Sequence, residues 1–280
     1  DRVGWNVERD GLFGAPPVTV VVGDEVHVSV TKALGLLGFG RERVIRAPVD
    51  DQGRMLPGAI DLPDGPAIIC TQVGNVNTGA SDAVGEICDW AHEAGAWVHV
   101  DGAFGLWAAT APARAHLVDG VTKADSWATD GHKWLNVPYD CGVVIVRDEA
   151  ALRGAMSFDA AYLPALAQRE PRLYSPDMSR RARGIEVWAA LKGLGRSGVA
   201  EMVERCCRHA TRFADGLTDA GFEVLNQVEL NQVLVSFGTP EQTNAVIAGV
   251  QEDGTCWCGG TVWQGRTAMR ISVSSWATTG

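Results

Sequence analysis

The first half of the chain alternates short β-rich runs with helix-like stretches, and this alternation limits the fold more than any other feature. Residues 18–22 form a β-branched run that predicts a buried strand, and residues 29–37 have the pattern of a following helix. Similar runs predict strands at residues 67–71, 97–101, 124–129 and 142–146, and a helix at residues 82–94. This order predicts a mostly parallel sheet with helices on its faces, because parallel strands need crossover connections.

The second half of the chain has a different pattern. Pro164, Pro171 and Pro176 interrupt residues 162–179, which predicts a long loop. The elements predicted after this loop are a helical region at 183–220, strands at 232–237 and 268–274, and a helix at 242–251. We therefore expect a large domain at residues 1–185, followed at residues 186–280 by linking helices and a small α+β domain.

Charge and cysteine usage exclude several classes of partner. A net charge of −10 argues against nucleic acid or an anionic membrane, since both require clustered Lys and Arg. There is no apolar run of the ~18 residues that a membrane span needs, and no signal peptide opens the chain. The seven cysteines include one adjacent pair and one C-x-C, and neither pair has zinc-ligand spacing. This pattern predicts a cytoplasmic protein with reduced thiols and no metal.

Three predicted strands lead into residues that can act chemically. His27 follows the first strand, Asp101 ends another, and Lys133 comes just after a third. Ligands of parallel sheets bind beyond the carboxyl ends of the strands. A Lys amine, a carboxylate and a flat imidazole are what a pyridine aldehyde such as pyridoxal 5′-phosphate (PLP) requires: an imine, a protonated ring nitrogen and a stacked ring. Taken singly, each residue is better explained as a helix cap or a solvated surface group.

Three ordered segments of the sequence resemble one enzyme family. Ala-Asp-Ser-Trp-Ala-Thr-Asp-Gly-His-Lys-Trp at residues 124–134 resembles the cofactor-lysine motif of the group II PLP-dependent amino-acid decarboxylases. His-Val-Asp-Gly-Ala at residues 99–103 is similar to their H-V-D-A-A segment, and Gly-Asp-Glu-Val-His at residues 23–27 to the segment with the ring-stacking His. That family includes aromatic-amino-acid, glutamate and tyrosine decarboxylases.

The resemblance implies an α/β fold of the aspartate aminotransferase-like type (fold type I), with residues 1–185 as the PLP-binding domain. It implies that Lys133 forms the Schiff base, Asp101 pairs with the pyridine nitrogen and His27 stacks on the ring. Ala103 would pack against the other ring face, and Tyr174 would return a proton to the substrate carbon. The resemblance further implies flanking or cofactor-binding positions at His132, Asn75, Ser126 and Thr129.

The sequence departs from the family pattern in several places. Gly102 replaces the usual Ala, Asn75 to Asn77 stand where relatives often have a Thr-Thr pair, and Asp130 replaces Asn or Ser near the phosphate. The family's phosphate-binding turn has no convincing counterpart, and the chain opens on Asp1 rather than Met. We therefore expect a fragment of a decarboxylase that binds PLP poorly by itself.

The leading functional hypothesis is decarboxylation of an L-amino acid in a homodimer with a composite active site. An aminotransferase or a carbon–carbon lyase on the same fold is the alternative among enzymes, and Arg270 resembles the carboxylate-binding Arg of aminotransferases. The His132–Lys133 pair favours a decarboxylase or lyase. From a different class, an inactive remnant or dimerisation partner remains open.

Overall fold

Strands and helices alternate in the first half of the chain in the predicted order. The structure is a computed structural model that describes residues 3–62, 64–158 and 168–279. The strands are β1 (Thr19–Gly23), β2 (Ile45–Ala47), β3 (Ala67–Gln72), β4 (Trp97–Asp101), β5 (Ser126–Asp130), β6 (Gly142–Val146), β7 (Glu223–Val224), β8 (Gln232–Ser236), β9 (Gly259–Trp263) and β10 (Arg266–Ser272). The α-helices are α1 (Val7–Asp10), α2 (Val28–Leu36), α3 (Val84–Glu93), α4 (Glu149–Met156), α5 (Gly184–Asp219) and α6 (Pro240–Asp253).

The large sheet has six strands in the order β2-β1-β3-β4-β5-β6. Neighbouring strands from β2 to β5 are parallel, whereas β6 runs antiparallel to β5, with Ala128 opposite Val144. Parallel pairing requires a crossover, and α2 and α3 supply two of them, while the segment between β5 and β6 contains no helix. The predicted mostly parallel α/β sheet is therefore confirmed.

One face of this sheet forms the main hydrophobic core. Ile69, Val98 and Val100 point into it and are fully buried. Helix α3 covers them with the four residues that its sequence pattern predicts: Val84, Ile87, Cys88 and Ala91. Each fully buried aliphatic side chain contributes about 1.5–3 kcal/mol to folding. Gly95 ends the helix with a φ of 70°, which also confirms the predicted cap.

A second, antiparallel sheet forms the small C-terminal unit, with the order β7-β8-β10-β9. Helix α6 packs on it and begins with a capping box between Thr239 and Gln242. Helix α5 connects the two sheets and is broken at Gly195, whose φ of 65° is not helical. The predicted boundary between residues 185 and 186 falls in the first turn of α5.

Several elements differ from the expected pattern. The sequence did not predict β2, β7, β9, α1 or α4. Helix α3 begins at Val84 rather than at Asp82, because the Asp82 carboxylate binds the backbone N–H groups of Met55 and Gln72 instead of capping the helix. Of the predicted loop at 162–179, residues 162–167 lie outside the described part, and Pro171–Leu173 forms a 3-10 turn. Within the described ranges, no helix is both long and apolar enough to cross a bilayer.

Candidate active site

The other face of the large sheet is covered by α2 next to β1 and is open over β4 and β5, where it forms the floor of a cavity of about 1440 Å³. Alternate residues of β4 and β5 line it, because successive side chains of a strand point to opposite faces. Helices α2 and α4 form the two walls. The lining residues from the sheet and from the ends of its strands include Cys70, Trp97, His99, Asp101, Ala103, Ser126, Ala128, Asp130, His132 and Lys133.

Lys133 reaches the cavity from a tight turn just after β5. Its Nζ lies 3.0 Å from Oδ2 of Asp130, and among the described lining residues it is the one Lys or Arg. The turn is held by Gly131, whose N–H donates to the Cys141 carbonyl at 2.9 Å. A Cβ on Gly131 would lie 3.0 Å from both the Cys141 Sγ and a Val137 methyl carbon. The close packing at Gly131 therefore fixes the direction in which Lys133 leaves the sheet.

His132 lies beside Lys133 and is held by its own hydrogen bonds. Its Nδ1 lies 2.9 Å from the Cys141 carbonyl oxygen and 3.0 Å from the Cys141 backbone nitrogen, so the Cys141 backbone fixes the ring. Its Nε2 is 3.6 Å from Asp130 Oδ2, and the ring packs on Tyr139 with a centroid distance of 4.3 Å. Asp130 thus contacts both His132 and Lys133, although the sequence had left its role unassigned.

Asp101 ends β4 and faces the same cavity. Its Oδ1 accepts the Ala103 N–H at 3.1 Å, and Ala103 also lines the cavity. The intervening Gly102 has a structural reason, because a Cβ there would lie 2.7 Å from the Leu106 Cβ. Burial, with a further contribution from Asp101, raises the pKa of the neighbouring Cys70 thiol to about 12. Cys70 is therefore an uncharged wall residue and not a thiolate nucleophile.

His27 caps the N-terminus of α2. Its Nδ1 accepts the Ser29 N–H at 3.3 Å and lies 2.7 Å from the Ser29 Oγ. Burial lowers the pKa of the imidazole; Lys133 and Arg270 lower it further, and Asp101 and Asp130 oppose the shift. His27, Asp101, Asp130 and Lys133 all line the same cavity. A neutral, partly buried imidazole at this position is suited to lie against a flat ring.

His99, which the sequence reasoning did not assign, is also part of the cavity floor. It lies two residues before Asp101 on β4, and its Nδ1 is 2.8 Å from the Ser126 Oγ. Trp97 Nε1 donates to the same hydroxyl at 2.8 Å, so the predicted cofactor ligand Ser126 already binds two neighbours. Burial lowers the pKa of His99, and Asp101 partly opposes the shift. Side chains two residues apart on a strand point to the same face, so the position of Asp101 in the sequence could have identified His99 as a cavity residue.

The structure does not bring three of the predicted residues into the cavity lining. Thr129 lies on the opposite face of β5, and its buried Oγ1 has no hydrogen-bond partner. Asn75 is 1% exposed and bonds Asn77, Thr78 and Glu25. Tyr174 donates its hydroxyl to Glu149 on α4 at 2.5 Å. The cofactor or catalytic roles assigned to these three residues stay predictions.

Comparison with known proteins identifies related sequences and structures. A family model described as "Pyridoxal-dependent decarboxylase conserved domain" matches residues 13–239. Tryptophan decarboxylase 1 of Oryza sativa subsp. japonica is 29% identical over 95% of this chain and 57% of that protein. Aromatic-L-amino-acid decarboxylase of Drosophila lebanonensis is 31% identical over 82% of this chain and 60% of that protein. The crystal structure of Oryza sativa TDC with PLP and tryptamine has a TM-score of 0.85 at 25% identity, with coverages of 96% and 61%. The chain thus spans little more than half the length of these relatives.

Proposed function

The chain belongs to the pyridoxal-dependent decarboxylase family, and we propose that it holds PLP through Lys133 and releases CO₂ from an L-amino acid in this cavity. One observation carries the proposal. Lys133, Asp101 and His27 come from three separate strand ends, and all three line the same open space. Homodimerisation and a cytoplasmic location, which the sequence analysis predicts, belong to the same proposal.

The residues present fit the ring of the cofactor. The cavity offers one amine, the carboxylate of Asp101, the neutral imidazole of His27 and the small side chain of Ala103. Bound PLP supplies a protonated pyridine ring that accepts the electrons left behind when CO₂ departs. For the phosphate, Lys133 is the single Lys or Arg in the described lining, so neutral donors would have to bind it, such as the hydroxyls of Ser29 and Ser126, the His132 ring and backbone N–H groups.

Each polar residue of the cavity has a definable task. The Asp101 carboxylate would keep a proton on the ring nitrogen, and the Ala103 N–H holds that carboxylate in place. Oδ2 of Asp130, 3.0 Å from Nζ, would hold the Lys133 side chain in place within the cavity. His132 Nε2 lies 3.6 Å from the same oxygen, so the imidazole would border both Asp130 and a phosphate bound beside Lys133.

The proposal is tested by locating the lysine that captures PLP. The protein is incubated with PLP, reduced with borohydride and digested, and the modified peptides are quantified by mass spectrometry. We expect the adduct on Lys133, no adduct at this site in Lys133→Ala, and unchanged labelling in Lys192→Ala, a variant at an exposed position on α5. Equal labelling of Lys32, Lys123, Lys133 and Lys192 would contradict the proposal.

A second measurement identifies the reaction. The protein is supplied with PLP and screened against the proteinogenic L-amino acids, with CO₂, amine and keto acid measured in parallel. We expect CO₂ and the corresponding amine in equal amounts, abolished in Lys133→Ala. A keto acid without CO₂ would indicate an aminotransferase instead.

A further inference from the structure

Glu25 lies two residues before His27 in the turn that joins β1 to α2. The Val26 N–H donates to the Gly23 carbonyl at 3.0 Å and closes this turn. His27 lines the cavity, whereas Glu25 is absent from the described lining. The carboxylate instead points away from the cavity, toward the small C-terminal unit.

The Glu25 carboxylate accepts hydrogen bonds from two other parts of the molecule. Oε2 accepts from Asn75 Nδ2 at 3.1 Å and from Trp263 Nε1 at 2.9 Å. Oε1 accepts from Gln264 Nε2 at 3.1 Å. All three donors are neutral N–H groups, and hydrogen bonds to an ionised acceptor are stronger than those between neutral groups. Glu25 therefore ties its own turn both to the turn after β3 and to the β9–β10 hairpin.

Glu25 is partly buried, and other side chains and the Gly53 backbone lie close to its carboxylate. A Cβ on Gly53 would lie 2.4 Å from Oε2 and would displace the Glu25 side chain, and the φ of +82° at Gly53 favours glycine. Trp263 is 6% exposed and packs with Leu234 and Ala268 in the small sheet. The carboxylate is thus held between two rigid segments, and the turn that carries His27 is held with it.

We propose that Glu25 is a positioning residue that fixes the His27 imidazole in the cavity by anchoring its turn to the small C-terminal unit. The importance of this position for cofactor binding rests on the function proposed above. The positioning itself is a property of the chain alone, because each contact that defines it is between side chains of this protein.

The direct test is a titration of the His27 imidazole by NMR in the protein without added cofactor, assigned with His27→Gln. The charged groups that act on His27 are Asp101 on β4, Asp130 on β5, Lys133 after β5 and Arg270 on β10. In Glu25→Gln, the new side-chain NH₂ group would face one of the N–H groups that donate to Glu25. We expect this repulsion to loosen the turn between β1 and α2, so that water reaches the His27 ring. We expect the His27 pKa to rise toward the ordinary ~6.5. Removal of the negative charge of Glu25 alone would lower the His27 pKa. The direction of the pKa change therefore separates loss of positioning from loss of charge.

Two variants complete the design. Asp24→Asn changes a carboxylate in the same turn whose side chain is 64% exposed, and we expect the His27 titration to stay as in the wild type. Trp263→Phe removes one donor and leaves Glu25 intact, and we expect a smaller shift in the same direction as Glu25→Gln. This second variant also keeps the test possible if Glu25→Gln does not fold.

Cofactor capture gives an independent readout. We expect Glu25→Gln to weaken PLP binding about tenfold, the size of one lost hydrogen bond to a charged group, and Asp24→Asn to leave it unchanged. A His27 titration in both Glu25→Gln and Trp263→Phe that is identical to the wild type would overturn the positioning proposal. Failure of the wild type to capture PLP on Lys133 would overturn the proposed function and leave the titration result standing.

Discussion

Two neighbouring carboxylates show how differently the cavity and the adjacent turn use the same chemical group. Asp82 and Asp101 border the same small internal space beside β3 and β4. Asp82 accepts three short hydrogen bonds, from the Met55 N–H at 2.8 Å, the Thr71 hydroxyl at 2.8 Å and the Gln72 N–H at 2.6 Å. Asp101 faces the open cavity and accepts the Ala103 N–H at 3.1 Å.

The difference indicates which region maintains the fold and which one remains available to a ligand. In the turn region of residues 72–82, Asp82, Asn75 and Thr78 bond to neighbouring polar groups, as most interior polar groups do, although the Ser81 Oγ has no partner. In the cavity, Asp101, His27 and Lys133 retain hydrogen-bonding capacity on their exposed sides. Residue type alone does not separate the two groups, because both regions contain Asp. The number of hydrogen-bond partners within the chain does separate them.

The largest expected effect is the loss of activity in Asp101→Asn. An amide oxygen can still accept the Ala103 N–H, but it carries no charge to hold a proton on the ring nitrogen. We expect kcat to fall by about 10²–10³, the usual cost of removing one preorganised electrostatic group. The free energy of unfolding in urea should change by less than about 0.5 kcal/mol. Full activity in Asp101→Asn would contradict the functional role that distinguishes Asp101 from Asp82.

Asp82→Asn should show the reverse behaviour. The new NH₂ group would face hydrogen-bond donors, so at least one buried group loses its acceptor, which costs about 1–3 kcal/mol. We expect that loss in the free energy of unfolding, measured in urea, while folded protein still captures PLP on Lys133. A stable Asp82→Asn variant that no longer captures PLP would place Asp82 with the cavity residues instead.

The pH dependence of stability sharpens the same contrast. Burial raises the pKa of Asp82, and its three hydrogen bonds only partly offset this effect. The native state therefore binds the proton more tightly than the unfolded state, whose carboxyl has an ordinary pKa of ~3.9. The contribution of this group is fully present below that value and is lost as pH rises through the native-state pKa. Urea unfolding across this range should show the decline in the wild type and not in Asp82→Asn.

The sequence predicted the elements that have a strong local pattern. Strands β4 and β6 have the predicted bounds, because each is an apolar run next to a turn residue. Strand β2 was missed because it is three residues long with the exposed Arg46 at its centre, and β9 because it opens with two glycines. The break of α5 at Gly195 was also missed, since glycine is common inside helices that do not break.

The sequence predicts which candidate-site residues come together at the ends of strands. It does not predict positions that depend on side-chain contacts between distant segments. His27, Asp101 and Lys133 converge because carboxyl ends of parallel strands meet at one edge of a sheet. The alternation of β5 places Thr129 and Asp130 on opposite faces of the sheet, and this could be read from the sequence. The position of Asn75 was not predictable, because its partners Glu25 and Thr78 are chosen by tertiary packing.

Asn75→Ala tests whether Asn75 maintains the fold, as Asp82 does, or contributes to cofactor binding in the cavity. Its Oδ1 accepts the N–H groups of Asn77 and Thr78 and thereby holds the turn after β3. Loss of a comparable side-chain cap costs about 0.5–2 kcal/mol, and we expect that decrease in the free energy of unfolding, measured in urea. PLP capture on Lys133 should change by less than twofold. Weaker capture at unchanged stability would instead support the cofactor-binding role predicted from the sequence.

The smallest effect is expected for Tyr174→Phe. The Tyr174 hydroxyl donates to Glu149, and this bond raises the pKa of the phenol. The cavity is lined by Asp148, the N-cap of α4, and by the α4 residues Ala150, Ala151, Gly154 and Ala155. Glu149 is not among them, so its bond holds the phenol away from the cavity. We expect Tm to change by no more than about 2 °C, since single exposed contacts contribute little.

Glu149→Gln is the matched control, because it weakens the acceptor and keeps the phenol. If the bond to Glu149 is the main role of Tyr174, the two variants have the same small effect on Tm and neither changes kcat. General acid catalysis contributes about 10²–10⁴ to a rate, so a tyrosine that returns the proton would give a large loss of kcat in Tyr174→Phe alone. That result would mean that the hydroxyl leaves Glu149 during turnover. Tyr174 would then enter the cavity during turnover, although in this structure its hydroxyl bonds to Glu149 outside the cavity lining.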